Sequence, residues 1–394
     1  MSRVEENKWI KEVMLQVIKN LGSNVNEAGY ELCKLAENPM SSQYYINVKF
    51  KNKNGQSEGR SILLKRPTQL EKCRLVHYID YQFHNEILFY QMYAQPGDNF
   101  AKCFYANERS PIDSVIALEN VNEGGYYPCT YVCDAPLEYT LAAFREIGRF
   151  HGKGYVMKEL QREKFFDIVK RIQETRYDAT YTFKNFVDII ATRAVEYLRN
   201  HGHDVTFCDK MEALLSRAFD KVLMKAVEPR EPLSTLCHGD FTLSNTLFKA
   251  ENEGQYRAML IDFALCRYAT PVVDLSTYLC LCCSNEMRKD KFFELMRSYH
   301  DALKEYLLEA GVSDIEKYSY DALLDDYKRG GLLGFIIASF FLSVLKGYVR
   351  DPNVVIMDWE ERGKVLKQVG GDEISKILAD MLLHLKDLGC LTYF

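Results

Sequence analysis

Three polar residues and one further carboxylate stand in a pattern that suits phosphoryl transfer. His238, Asp240 and Asn245 are spaced H-x-D-x-x-x-x-N within L-C-H-G-D-F-T-L-S-N-T-L-F, and Asp262 ends the apolar run Ala258-Met259-Leu260-Ile261. A phosphoryl group in transit must be flanked by a carboxylate that accepts the proton of the attacking hydroxyl and by oxygens that hold magnesium on the phosphates. Asp240 is the candidate base. Asn245 and Asp262 are the candidate magnesium ligands, because that ion takes hard oxygen donors and keeps several of its waters. His238 is suited to hydrogen bonding within the loop and holding its shape.

To be positioned, these groups need a loop, a short strand and a second strand, with one carboxylate on the loop and the other at a strand end. Two more charged residues lie upstream on regular elements. Lys65 closes the strand-like run over 60–65, which Pro67 stops, and Glu86 sits beside the apolar face of a helix expected over 81–93, whose Phe83, Ile87 and Tyr90 share one side. A lysine at a strand end presents a point charge to phosphates, and a glutamate on a neighbouring helix can pair with it and fix the ammonium.

The order of these residue types is that of the catalytic loop and metal-binding Asp of protein kinases, where the spelling is H-R-D-L-x-x-x-N and D-F-G. Gly239 stands here for the Arg and Ala264 for the last Gly, so the chain departs from ordinary protein kinases. The spelling resembles the small-molecule kinases of the aminoglycoside phosphotransferase and choline kinase group. With I-D-F-A-L-C-R-Y-A-T-P-V-V-D-L following, it looks most like the ecdysteroid-kinase-like branch.

The resemblance implies an α+β, bilobal, protein-kinase-like fold. A small β-rich N-lobe with an N-terminal helix would occupy 1–122 and bind the nucleotide, and a larger, mainly helical C-lobe over 123–394 would hold the catalytic loop and the acceptor site. It implies ATP and Mg2+, and a small hydroxylated acceptor, ecdysteroid-like or another alcohol. A choline- or aminoglycoside-type kinase and a catalytically silent ligand-binding relative are the alternatives. In this frame the connection over 36–42 lies across the ATP phosphates; it has no glycine, and Ser41 and Ser42 are the donors it offers. The strand from 114 ends in a turn-like stretch over 119–125 that falls at the hinge, where backbone groups of Glu119 and Val121 would hold adenine. Asp274 falls at a helix start, where a carboxylate can cap N–H groups, and in relatives an Asp there braces the catalytic loop.

Composition bounds the rest. The 394 residues are 47% hydrophobic, enough for a packed core, and a net charge of -5 argues against a nucleic-acid binder, whose phosphate contacts call for a basic surface. The first residues carry no apolar leader, so a cytoplasmic protein is expected. The twelve cysteines lack zinc-knuckle spacing and are expected as reduced, mostly buried thiols. The run over 331–345 is shorter than the about 20 residues that span a bilayer, and Ser339 and Ser343 interrupt it, so it is expected as a buried helix. Further helices are expected over 9–21, 137–154, 158–174, 181–200, 209–227, 275–283, 292–311, 318–323 and 375–388. His151, on the apolar face of one of them, is expected as a hydrogen-bonded core residue.

Overall fold

The computed structural model describes residues 3–22, 26–177, 180–251 and 254–394. The chain forms two compact units: Met1–Tyr127 with Arg171–Arg176 and Ile261–Leu265 make one, and the remainder makes the other. The fold is α+β, with an antiparallel sheet in the first unit and a larger, mainly helical second unit.

In the first unit, α1 (Arg3–Asn20) buries Trp9, Ile10, Val13, Met14 and Val17, a stripe at helical spacing. The stripe shares a core with Tyr44, Ile46, Val48, Ile62, Leu64, Phe104 and Val115 of the sheet. That sheet holds β1 (Asn26–Glu37), β2 (Ser41–Lys51), β3 (Ser57–Pro67), β4 (Cys103–Asn107) and β5 (Val115–Glu119) in the order β1-β2-β3-β5-β4. On β2 the buried residues Tyr44, Ile46, Val48 and Phe50 alternate with exposed or half-buried ones, as a strand covered on one face requires.

The helix expected over 81–93 is more elaborate. It begins earlier as α2 (Glu71–His77), breaks at Tyr78, whose φ of +52° is left-handed, and resumes as α3 (Ile79–Leu88). It then closes on a π-helical turn, Phe89–Tyr93. Periodicity could not show the turn, because Phe89, Tyr90 and Tyr93 are all buried and no single α-helical face collects them. The two-residue strand β6 (Tyr127–Pro128) follows in the chain.

In the second unit, the helix α4 (Leu137–Leu160) continues past the expected end at 154. It is followed by α5 (Arg162–Arg171), α6 (Tyr181–Ala191) and α7 (Arg193–Asn200), the last two split at Thr192 where one helix is expected. Then come α8 (Val205–Leu215), a π-helical turn and α9 (Met224–Val227). The catalytic segment runs through β7 (Thr235–Cys237), β8 (Thr246–Ala250), β9 (Tyr256–Leu260) and β10 (Arg267–Ala269); β7 pairs with β10 and β8 with β9, both antiparallel. Six helices complete the unit: α10 (Val272–Cys282), α11 (Asn285–Glu309), α12 (Tyr320–Gly330), α13 (Leu332–Leu345), α14 (Trp359–Gln368) and α15 (Gly371–Asp387).

The apolar run forms α13, buried without interruption from Leu332 to Phe340, and packs against α10. Gly334 permits this, since a Cβ there would lie 2.1 Å from the Ser276 carbonyl oxygen. Among the described residues no single helix is long and apolar enough to cross a membrane. All twelve cysteines are free thiols, seven of them buried on or near β7, α8 and α10 or at the chain end.

Candidate active site

The first unit brings Lys65, Glu86 and Asp262 together. Lys65 lies near the end of β3, between β2 and β5, with its side chain 11% exposed. Its Nζ donates to Glu86 Oε2 at 2.6 Å and to Asp262 Oδ1 at 3.0 Å. Glu86 comes from α3 and is 2% exposed, whereas Asp262 is 41% exposed. Asp262 has a φ of +65°, a left-handed conformation that Asp tolerates better than most residues. Phe263 is wholly buried against Phe89 and Phe100 and so fixes the chain just after the carboxylate.

The charges in this cluster are interdependent. Burial works against the Lys65 ammonium, but the carboxylates of Asp262 and Glu86 outweigh it and hold the lysine above its ordinary range. Glu86 is pushed up to about 7 by its burial, with Lys65 opposing the shift and Asp262 adding to it. One ammonium thus serves two carboxylates, of which Asp262 is the exposed one. An exposed carboxylate oxygen of that kind fits a magnesium ion.

The expected phosphate-side loop is shorter than 36–42. Only residues 38–40 connect β1 and β2, so Ser41 and Ser42 lie on a strand. Asn38 Oδ1 accepts from the N–H groups of Met40 (2.9 Å) and Ser41 (2.7 Å), an Asx turn that replaces glycine as the means of reversing the chain. Thr68 N–H donates to the Met40 carbonyl and Cys73 Sγ to that of Pro39, pinning the turn to the end of β3 and to α2. Ser41 is buried and its amide is spent on Asn38.

Glu119 ends β5, and Val121 opens a 3-10 turn, Val121–Gly124, within the turn-like stretch expected over 119–125. Asn120 shapes the turn: its side chain accepts from Asn122 N–H and donates to Ser61 Oγ. The amides of Glu119, Asn120, Asn122 and Glu123 are all committed internally, to Lys102 O, Ser61 O, Asn120 Oδ1 and Asn120 O. The Val121 N–H has no partner among the described residues.

The second unit holds His238, Asp240, Asn245 and Asp274. After β7 the chain turns at Gly239, with a φ of +80°, and Asp274 in the first turn of α10 accepts from the consecutive amides of His238 (2.7 Å) and Gly239 (2.8 Å). Asp274 also accepts from His151 Nε2 at 2.9 Å, and His151 Nδ1 is hydrogen-bonded to the Tyr299 hydroxyl at 3.0 Å. Burial opposes ionisation of Asp274, but His151, His238 and the Gly239 amide together hold its carboxyl below the ordinary value. Asp240 N–H donates to His238 Nδ1 at 3.3 Å. Asn245 Nδ2 donates both to the Asp240 carbonyl (3.0 Å) and to Asp240 Oδ2 (2.8 Å). With its donors spent there, Asn245 keeps Oδ1, a hard oxygen of the type magnesium takes.

Three supporting residues escape a reading of the sequence. Tyr299, Cys282, whose Sγ accepts from the Leu243 amide at 3.3 Å, and Asn38 act through the backbone or through another side chain. His151 is the buried, hydrogen-bonded residue expected, and its partner is Asp274.

A family model described as ecdysteroid kinase-like family matches residues 36–312. No curated protein sequence matches the chain. Among solved structures, the GDP complex of wild-type aminoglycoside 2'-phosphotransferase-IIIa is similar at 13% identity and a TM-score of 0.42, over 93% of this chain and 98% of that one. A ternary complex of a thermostable mutant of aminoglycoside phosphotransferase APH(4)-Ia with ADP and hygromycin B is similar at 14% identity and a TM-score of 0.33, over 86% and 94%.

Proposed function

The chain belongs to the ecdysteroid kinase-like family, and from that membership we propose that it is an ATP-dependent small-molecule kinase, moving the γ-phosphoryl group of ATP to a hydroxyl of an organic acceptor such as an ecdysteroid or another alcohol. The observation that carries the proposal is Lys65 held between Glu86 and Asp262. An ammonium so nearly buried beside two carboxylates costs desolvation, and a phosphate to bind gives that arrangement a use.

In this proposal Lys65, oriented by Glu86, steadies the nucleotide phosphates, and Asp262 and Asn245 present oxygens to magnesium. ATP supplies the phosphoryl group, and the ion offsets charge on the phosphate oxygens. Asp240 takes the proton of the acceptor hydroxyl, its carboxylate oriented by the Asn245 amide. His238 and Asp274 hold the loop that carries it. Adenine pairs with the Val121 N–H and a carbonyl of Glu119, and Ser42 stays near the phosphates. The free thiols suit a reducing compartment such as the cytoplasm.

The commitment of the Ser41 amide favours one other reading, a ligand-binding protein that keeps the fold without transfer. One experiment separates the two. The protein is incubated with γ-labelled ATP, magnesium and a panel of steroid, choline-like and phenolic alcohols, beside Asp240→Ala and Asp262→Ala. Transfer of label by the native protein, abolished in Asp240→Ala with Mg·ATP binding retained, supports the kinase. Undiminished transfer in Asp240→Ala removes Asp240 as the base, and no transfer to any acceptor with ATP still bound supports the silent protein.

A further inference from the structure

After its N-terminal stretch the chain contributes to the first unit twice more, at Arg171–Arg176 and at Ile261–Leu265. Both segments meet α3 at one side chain. Asn85 is 1% exposed; its Nδ2 donates to the carbonyls of Gln173 (2.9 Å) and Ala264 (3.2 Å), and its Oδ1 accepts from the Gln173 amide (2.8 Å). A carboxamide has two donor hydrogens and one acceptor oxygen, and here each kind is used on main-chain groups.

We propose that Asn85 is a positioning residue, tying the 171–176 strap to the 262–264 segment so that Asp262 and Glu86 are held on Lys65. Glu86 is its neighbour on α3, and Ala264 lies two residues from Asp262. The segment needs such a tie, because a non-glycine residue at a positive φ persists only where its surroundings over-determine it. The strap is itself fastened to α3 and the π-helical turn on either side of Asn85. His84 Nε2 is hydrogen-bonded to the Arg171 carbonyl at 2.9 Å, its Nδ1 to Glu108 Oε2 at 2.9 Å, and Arg171 Nη1 lies 2.9 Å from Met92 Sδ. No other side chain of this size serves: Asp lacks the donors, Leu lacks all three groups, and Gln carries its amide one methylene too far.

The effect on nucleotide rests on the kinase proposal; the effect on the 262–264 segment does not. The test uses Asn85→Ala, Gln173→Pro and Gln173→Ala in the full chain. The Gln173 side chain is exposed, so the Pro variant removes the amide that Asn85 accepts from, while the Ala variant keeps it. Hydrogen exchange of the peptide spanning 262–265 should speed up about tenfold in Asn85→Ala and in Gln173→Pro, a typical effect of losing a buried hydrogen bond, and stay at the native rate in Gln173→Ala. The Kd for Mg·ADP of the folded protein should rise by a similar factor in the same two variants, which a purely structural role would leave unmoved. The double variant should be no worse than either alone, because the two changes break one linkage. Native exchange in Gln173→Pro, or equal effects of Pro and Ala at 173, overturns the proposal. If the native protein itself binds no Mg·ADP, the kinase proposal fails and the exchange comparison still decides the role of Asn85.

Discussion

Phe263 lies flat against Phe89, with ring centroids 3.6 Å apart and 11° between the planes. Phe89 opens the π-helical turn that ends α3, and Phe263 directly follows Asp262, so the stack joins the helix of Glu86 to the carboxylate that shares its lysine. Aromatic pairs of this kind add to the burial of both rings. The irregular end of α3 therefore has a use: it delivers the ring against which the 262–264 segment is set.

Truncating Phe263 to Ala should cost about 3–5 kcal/mol, the usual range for a buried aromatic. It should also weaken Mg·ADP binding, since Asp262 loses the anchor that follows it. Phe263→Leu refills most of the space and should recover most of the stability and part of the binding. Urea midpoints and calorimetric titration of the two variants measure these outcomes. Equal Mg·ADP affinity in Phe263→Ala and the native protein would separate the stack from the site.

Glu86 gives a pH dependence whose sign is fixed. Its carboxyl is raised from an ordinary value of 4.5 to about 7, first by burial. A carboxyl that holds its proton more tightly in the folded protein than in the unfolded chain favours folding at low pH, so its contribution is fully present below 4.5 and is lost as pH rises through 7. Glu86→Gln removes the titration while keeping the shape. The native protein should lose melting temperature relative to Glu86→Gln as pH rises from about 5 to about 8. Parallel curves for the two proteins over that interval would contradict the shift.

Much of the candidate site was legible because the residues proposed for it sit at element ends that leave a pattern. Lys65 before Pro67, Asp262 after an apolar strand and Asn245 after Asp240 are spelled in local order. The buried helix over 331–345 was equally plain from its composition, and α13 occupies it almost residue for residue. Boundaries that depend on main-chain bonding were not legible. The 36–42 loop shrinks to three residues because Asn38 caps its own turn. The helix α14 was missed because its buried Arg362, Gly363 and Leu366 make too thin a stripe among charges. Tyr299 and Asn85 could not be found at all, since each acts on residues more than eighty positions away and carries no motif of its own.

Two glycines flank the buried pair His151 and Asp274. At Gly148 on α4 a Cβ would lie 2.5 Å from the Tyr299 carbonyl of α11, and at Gly334 on α13 it would lie 2.1 Å from the Ser276 carbonyl of α10. Both obstacles are backbone, so a helix must move. Gly334→Ala displaces the helix that bears Asp274 and should cost about 1–3 kcal/mol, the range for overpacking a core. It should lower transfer more than its loss of stability accounts for. Thermal melts and the labelled-ATP assay on the folded fraction test this; a stable Gly334→Ala with native transfer would show that α10 tolerates the shift.

Asp274→Asn probes the brace itself. The carboxylate accepts from two successive amides and from His151, three donors converging on two oxygens, and it is wholly buried. An asparagine offers one oxygen and one NH2 group in the same place, so a donor must face a donor, either the Gly239 amide or one of the other two. Breaking one side of a buried charged network costs about 3–5 kcal/mol, and here the loss falls on the loop that carries Asp240. Because Asp274 is held below its ordinary value of 3.8, the native protein has this stabilisation above that pH and loses it as pH falls through the lower, folded value. The variant should therefore be less stable than the native protein at neutral pH, and the gap should narrow only in strong acid. Transfer should fall in the variant while Mg·ADP binding through Lys65 and Asp262 persists. Equal stability of the two proteins at neutral pH would mean that the amides of His238 and Gly239 find other acceptors and that the loop does not depend on Asp274.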